Sequence, residues 1–219
     1  MRVTLARASM LVVVMAAGCG RIGYDPPTDA LVIEPSHVYH LAGNYDDDLG
    51  GPPLVSLGGT LEAGGYRFDG HGLSLTGATP DRAYTIDLVV TLDEVGRWHK
   101  LVDFKGRASD TGLYVFEDRL QFVIVPNQTF ERSAPVLTTG TPYQLTIARE
   151  ASGLVTAFID RVVAFQFQDD GDLAALAAAD APVYFFADDD VTGGGEASVG
   201  VVRRIKIFDR PLDEVLLLP

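Results

Sequence analysis

Residues Tyr84 to Leu92, YTIDLVVTL, alternate. Tyr84, Ile86, Leu88, Val90 and Leu92 fall on one side of an extended chain, and Thr85, Asp87 and Thr91 fall on the other. Side chains that repeat every second residue belong to a β-strand with one buried face. A ladder of five large apolar groups needs a second sheet to pack against, which predicts a sandwich. Full burial of each is worth about 1.5–3 kcal/mol. The opposite side is expected to face solvent, so substitutions at Thr85 and Asp87 should be nearly silent. Further strands are predicted at Leu31–Leu41, on both sides of Asp69-Gly70, at Trp98–Phe104, and at Gly112–Phe116 and Leu120–Val125 across Glu117-Asp118. Asp-Gly is a strong hairpin signal. A long Thr- and Pro-rich connection is expected from Pro126 to Pro142. Ala-rich Asp172–Asp180 predicts one short helix capped by Asp172.

The chain has 219 residues, enough for one domain of ordinary size, and its 23 glycines suit a protein with many turns. Its formal net charge is −13. Phosphate recognition needs clustered Lys and Arg, so nucleic acid is disfavoured as a partner, and acidic polysaccharide is disfavoured for the same reason. Divalent cations and neutral ligands stay open.

The single cysteine, Cys19, lies at a telling place. Arg2 and Arg7 precede an apolar run from Met10 to Ala17, and Gly18-Cys19-Gly20 follows. A charged start, a short apolar middle and small residues at the cut make a signal peptide. The run is too short to cross a membrane as a helix. Ala16-Ala17-Gly18-Cys19 resembles a bacterial lipobox, with Ala16 where Leu is usual. That resemblance implies cleavage before Cys19 and lipidation of its thiol. An ordinary secretory signal is the alternative, although Cys19 has no disulfide partner within the chain. In Gram-negative lipoproteins an Asp after the Cys tends to retain the protein in the inner membrane, so for a Gram-negative source Gly20 implies the outer membrane. The expected organisation is a lipoprotein signal peptide over 1–18, a Pro-containing tether over 19–30 and one folded domain over 31–219.

Within that domain several strings carry a family likeness. Tyr143 to Phe167 contains Arg149-Glu150-Ala151-Ser152-Gly153 and Asp160-Arg161 as successive turns. Phe68-Asp69-Gly70 with Leu73, the Gly43-Asn44 stretch with Asp46, Asp47 and Asp48, and the final run Ser198 to Leu212 complete the set. Together they resemble bacterial laminin-G-like domains of the concanavalin A-like class. The resemblance implies an all-β, two-sheet antiparallel jelly-roll sandwich whose last strand returns to pair with the first. In that last strand Val199, Val201, Arg203, Ile205 and Ile207 are expected on one face, with Arg203 the misfit. Arg161 stands where the family has Gly, and a type I′ turn strains a non-Gly residue there.

Four carboxylates, Asp188, Asp189, Asp190 and Glu196, lie around the glycines Gly193 to Gly195. Like charges so close need compensation. Calcium is one candidate, held by Asp188, Asp189 and Glu196, since it accepts carboxylate oxygens from irregular loops. Pairing with Arg203 and Arg204 is the other. The loop of Asn44 and Asp46 to Asp48 reads as a solvated turn or a second cation loop. His37 and His40, three apart in a strand, point to opposite faces and do not suit joint ligation. Trp98 reads as a packing residue or as a platform for a sugar.

Paired acid and nucleophile carboxylates on one strand, as fold-sharing glucanases carry, are absent, as are G-x-S-x-G, H-E-x-x-H and C-x-x-C. The expectation is a non-catalytic cell-surface binding module for carbohydrate or protein. A structural role among envelope proteins and an unusual glycan hydrolase are the alternatives.

Overall fold

The computed structural model describes residues 33–77, 82–124, 128–131, 136–176, 181–191, 193 and 195–212. The strands are β1 (His37–Tyr39), β2 (Val55–Ser56), β3 (Thr60–Glu62), β4 (Gly65–Asp69), β5 (Leu73–Leu75), β6 (Tyr84–Leu92), β7 (His99–Asp103) and β8 (Gly112–Phe116). They continue with β9 (Arg119–Ile124), β10 (Gln128–Glu131), β11 (Pro142–Arg149), β12 (Leu154–Ile159), β13 (Val162–Gln168), β14 (Val183–Phe185) and β15 (Val199–Phe208). One sheet runs β13-β12-β11-β6-β15-β4-β3, with β1 also on β15. The other runs β10-β9-β8-β7-β14-β5-β2. Strand pairings are antiparallel throughout, and no helix occurs among the described residues.

The β6 ladder is where the two sheets meet. Its five apolar residues are at most 3% exposed and join Phe104, Leu113, Phe122 and Phe185 of the other sheet in one core. β15 pairs with β6 on one side, and β1 and β4 share the other. The last strand thus returns to the first, as the resemblance implies.

The reverse side of β6 departs from expectation, because Thr85 and Asp87 are buried too. The chain after β15 folds over them: Thr85 Oγ1 donates to the Arg210 carbonyl and accepts from the Leu212 amide. Leu212, Phe208, Ala148 and Phe158 form a small second core there. Asp87 accepts from Thr146, Gln144 and Arg204.

The face assignment of β15 also changes. A bulge between Val202 and Arg204 leaves Arg203 exposed and reverses the alternation. Val202 faces the core before it and Ile205 and Ile207 after it, so Val199 and Val201 lie on the outer side. One extra residue in a strand has this effect because the side-chain period is two.

Asp69-Gly70 does not make a hairpin. β4 belongs to one sheet and β5 to the other, so residues 70–72 carry the chain across the sandwich. The Glu117-Asp118 and Asp160-Arg161 turns do link hairpins, and all four residues have positive φ, between 47° and 68°. The expected connection after Pro126 contains β10, which pairs with β9. Residues 172–175 are bends rather than helix; Asp172 has φ 52°, and its carboxylate receives Arg149 and Arg82. Residues 177–180 of that expected helix lie outside the described residues, as do the first residues of the Leu31–Leu41 strand, the signal peptide and Cys19.

Candidate functional site

β7 and β8 run side by side in the second sheet, and Lys100 pairs with Tyr114 across them. Val102 and Leu113 face the core, and a bulge between Lys100 and Val102 puts Lys100, with its pair partner Tyr114, on the outward side together with Asp103. Outward does not mean exposed here: Lys100 and Asp103 are fully buried. Ser109 and Asp110 of the connection after β7, and Asp189 and Glu196 of the connection after β14, meet Lys100 on this face and cover it. Lys100 Nζ lies 2.8 Å from Asp189 Oδ2, 3.1 Å from Asp103 Oδ2 and 3.9 Å from Asp110 Oδ1. It also lies 5.2 Å from the centre of the Tyr114 ring. A buried ammonium without partners is very costly, and this arrangement supplies them.

Asp110, Asp189 and Glu196 each offer an oxygen within 4.8 Å of the others. Tyr114 donates its hydroxyl to Asp110 at 2.6 Å, and the Val191 amide donates to Asp189 at 2.7 Å. Burial pushes the Glu196 carboxyl up to about 7, and the neighbouring Asp110 charge pushes the same way. Burial raises Asp110 as well. The cluster therefore favours holding a proton or a cation in addition to Lys100.

Three residues expected as metal ligands separate at this point. Asp189 and Glu196 stand in the cluster with Asp110. The Asp188 carboxylate instead receives the backbone amides of Asp189 and Glu196, which ties the two ends of the loop together. The expected arginine partners lie elsewhere: Arg204 pairs with Asp87, and Arg203 is exposed. Arg107 compensates the loop, donating to the Asp188 carbonyl and pairing with Asp190 at 2.7 Å.

The loop of Asn44 and Asp46 to Asp48 is a braced turn. Asp47 is buried and accepts from the amides of Val38, Leu49 and Gly51 and from His37. These bonds hold its carboxyl below the usual range despite burial. Asp48 contacts His40, so the two histidines serve separate aspartates. Trp98 is half-buried, stacked on Phe116 at 4.1 Å and edge-on to Tyr114 at 5.6 Å. It packs beside the cluster.

Next to the cluster opens a cleft of about 190 Å³, lined by Leu57, Gly70, His71, Gly72, Arg107, Ala187, Asp188 and Ala197. Gly72 is required there, because a Cβ would collide with the Phe185 carbonyl. Phe186 and Arg107, neither of them glycine, hold φ of 60° and 66° beside it. Such backbone is held only where the surroundings enforce it. Here the Leu101 carbonyl accepts from the Phe186 amide, and Asp103 accepts from the Arg107 amide.

Lys100, Asp103, Asp110, Tyr114 and Arg107 were not singled out in the sequence. The signal available was a Lys inside an apolar strand, followed by a Gly- and Asp-containing loop, D-F-K-G-R-A-S-D-T-G, from Asp103 to Gly112. Nothing local says that this loop meets residues some 80 positions later.

No protein-family model matches the chain, and no curated protein matches it. Solved structures do. Domain 4 of an extracellular GH43 arabinanase from Geobacillus stearothermophilus, in complex with arabinotriose, matches with TM-score 0.67 and 16% identity over 84% of this chain and 96% of that one. The fold is a jelly-roll β-sandwich. Trypanosoma rangeli sialidase matches with TM-score 0.62 and 13% identity over 81% of this chain, but only 31% of the sialidase. The binding domain of botulinum neurotoxin serotype D matches with TM-score 0.60 and 11% identity, over 82% of this chain and 49% of that chain.

Proposed function

We propose that the protein is a non-catalytic carbohydrate-binding module, exported and held at the cell surface through a lipid on Cys19. The observation that carries the binding role is the likeness to the arabinanase domain. That domain is matched over nearly its whole length and was solved with a bound arabinose trisaccharide. The non-catalytic part rests on how the clustered carboxylates are engaged. A glycosidase needs an acid and a nucleophile or base reaching the glycosidic bond from either side. Here Asp189 and Asp103 are buried against Lys100, and Asp110 is bound by Tyr114. The three oxygens of Asp110, Asp189 and Glu196 could hold a metal between them. In this reading calcium is that metal and pins the loop 186–198; hard carboxylate oxygens suit it.

A glycan array probed with the purified full chain, with and without calcium, tests the reading. Retention on at least one family of neutral glycans is expected. Silence across the array in both conditions would favour a structural role among envelope proteins.

A further inference from the structure

The cleft beside the acidic cluster has properties that single it out as a ligand seat. Residues from four separate connections converge on it: Leu57, Gly70 to Gly72, Arg107, and Ala187, Asp188 and Ala197. Two polar side chains on its wall retain unused hydrogen-bonding capacity. Arg107 directs Nε to the Asp188 carbonyl and Nη2 to Asp190, while Nη1 has no hydrogen bond among the described residues. His71 has its Nδ1 3.7 Å from Asp69, and its Nε2 has no bond among them. Apart from Asp188, whose carboxylate is taken up by the Asp189 and Glu196 amides, the rest of the wall is small or aliphatic. Leu57, Ala187 and Ala197 present C–H surface, and Gly70, with nothing near the place of its missing side chain, lets a ligand come close to backbone.

Hydroxyl groups on adjacent carbons, with a C–H face behind them, match this lining. A guanidinium donates in a fixed fork, and a neutral imidazole both donates and accepts. An anionic ligand fits less well, because the buried Asp188 and the acidic cluster stand beside the same wall. The cleft is small for a ligand site, where pockets of roughly 300–1,000 Å³ are usual. It has room for one sugar ring but not a run of them, and no Phe, Tyr or Trp ring lines it. The interior of a polysaccharide ordinarily needs a longer surface on which several rings can lie.

Resting on the proposed carbohydrate-binding role, we infer that this cleft receives a single neutral monosaccharide unit, the terminal residue of a glycan, with Arg107 and His71 holding neighbouring hydroxyls. The protein then recognises chain ends rather than chain interiors.

Amide shifts of the full chain during titration with a panel of methyl glycosides of neutral hexoses and pentoses test this, alongside binding to long neutral polysaccharides. At least one methyl glycoside should shift the amides of Gly70, Gly72, Arg107 and Ala197. His71→Ala and Leu57→Trp, which removes a partner and fills the cleft respectively, should each weaken that binding at least tenfold. Both positions are exposed, so unchanged melting confirms that the variants fold. Polysaccharide binding without any methyl glycoside effect, or with shifts confined to the Trp98 face and unaffected by Leu57→Trp, would overturn the cleft assignment while leaving the carbohydrate-binding role intact. No binding to either kind of probe would overturn both.

Discussion

Lys100 places a buried ammonium among the carboxylates of Asp103, Asp110 and Asp189, and its removal leaves at least two buried carboxylates without their cation. Breaking a buried pair from one side costs about 3–5 kcal/mol, so Lys100→Met should lose that much in urea unfolding. A loss below about 1 kcal/mol, the range of an exposed pair, would mean that the ammonium is not the cluster's counter-charge. Glu196 gives a pH signature of known sign. Its carboxyl is raised to about 7 by burial and by Asp110, so folding takes up a proton between the ordinary carboxylate value and about 7. The stability tied to that proton is complete below the ordinary value and is lost as pH rises through about 7. The chain should therefore melt higher at pH 5.5 than at pH 8, and Glu196→Gln should flatten the difference. Calcium competes for the position the proton leaves. It should raise the melting temperature at pH 8 and not at pH 5.5, and no response at either pH would remove the metal from the proposal. Of these residues only Asp189 and Glu196 were visible in the sequence as candidates. Asp188 looked equivalent by spacing, but its carboxylate accepts backbone amides, a role that depends on how the loop closes. Asp110 lies 79 positions before Asp189, and only the pairing of β7 with β8 and β14 brings the two connections together.

At the scale of the strands, β6 is a direct test because its two sides bury different chemistry. Leu88→Ala should cost about 2–5 kcal/mol for the cavity it leaves in the shared core. Asp87→Ala, which alternation alone would make silent, should cost about 1–3 kcal/mol, since it strips a buried acceptor from Thr146 and Gln144. A silent Asp87→Ala would mean that the outer side of β6 is open to water. The ladder itself was legible because period-two alternation reports one buried face. Cover on the second face was not, because it comes from residues 208–212, whose own pattern says nothing of where they fold. β15 shows the limit of alternation more sharply. Arg203 was visible as a misfit, but that it bulges and flips Val199 and Val201 outward follows from its pairing with β6. Asp69-Gly70 likewise has hairpin chemistry, yet the chain uses it to change sheets; a turn sequence fixes a local bend and not the partner of the next strand.

At the scale of the molecule, two antiparallel sheets and the return of the last strand to the first agree with what the family likeness implied, while the ligand seat had no counterpart in the sequence. A sandwich is specified by apolar patterning spread over many strands, whereas the cleft is assembled from one to three residues of each of four connections. Export is tested separately: Cys19→Ser should abolish incorporation of labelled lipid and release the protein or leave it unprocessed, and unchanged membrane retention would argue against the anchor. The proposed role as a binding module without catalysis meets its most direct test in affinity electrophoresis of the full chain through gels containing neutral polysaccharides, followed by assay of the same polysaccharides for new reducing ends. Retarded migration in at least one gel with no new reducing ends is the predicted result. New reducing ends that disappear in a Glu196→Gln variant, or migration unaffected by every polysaccharide together with no binding of any methyl glycoside, would contradict it.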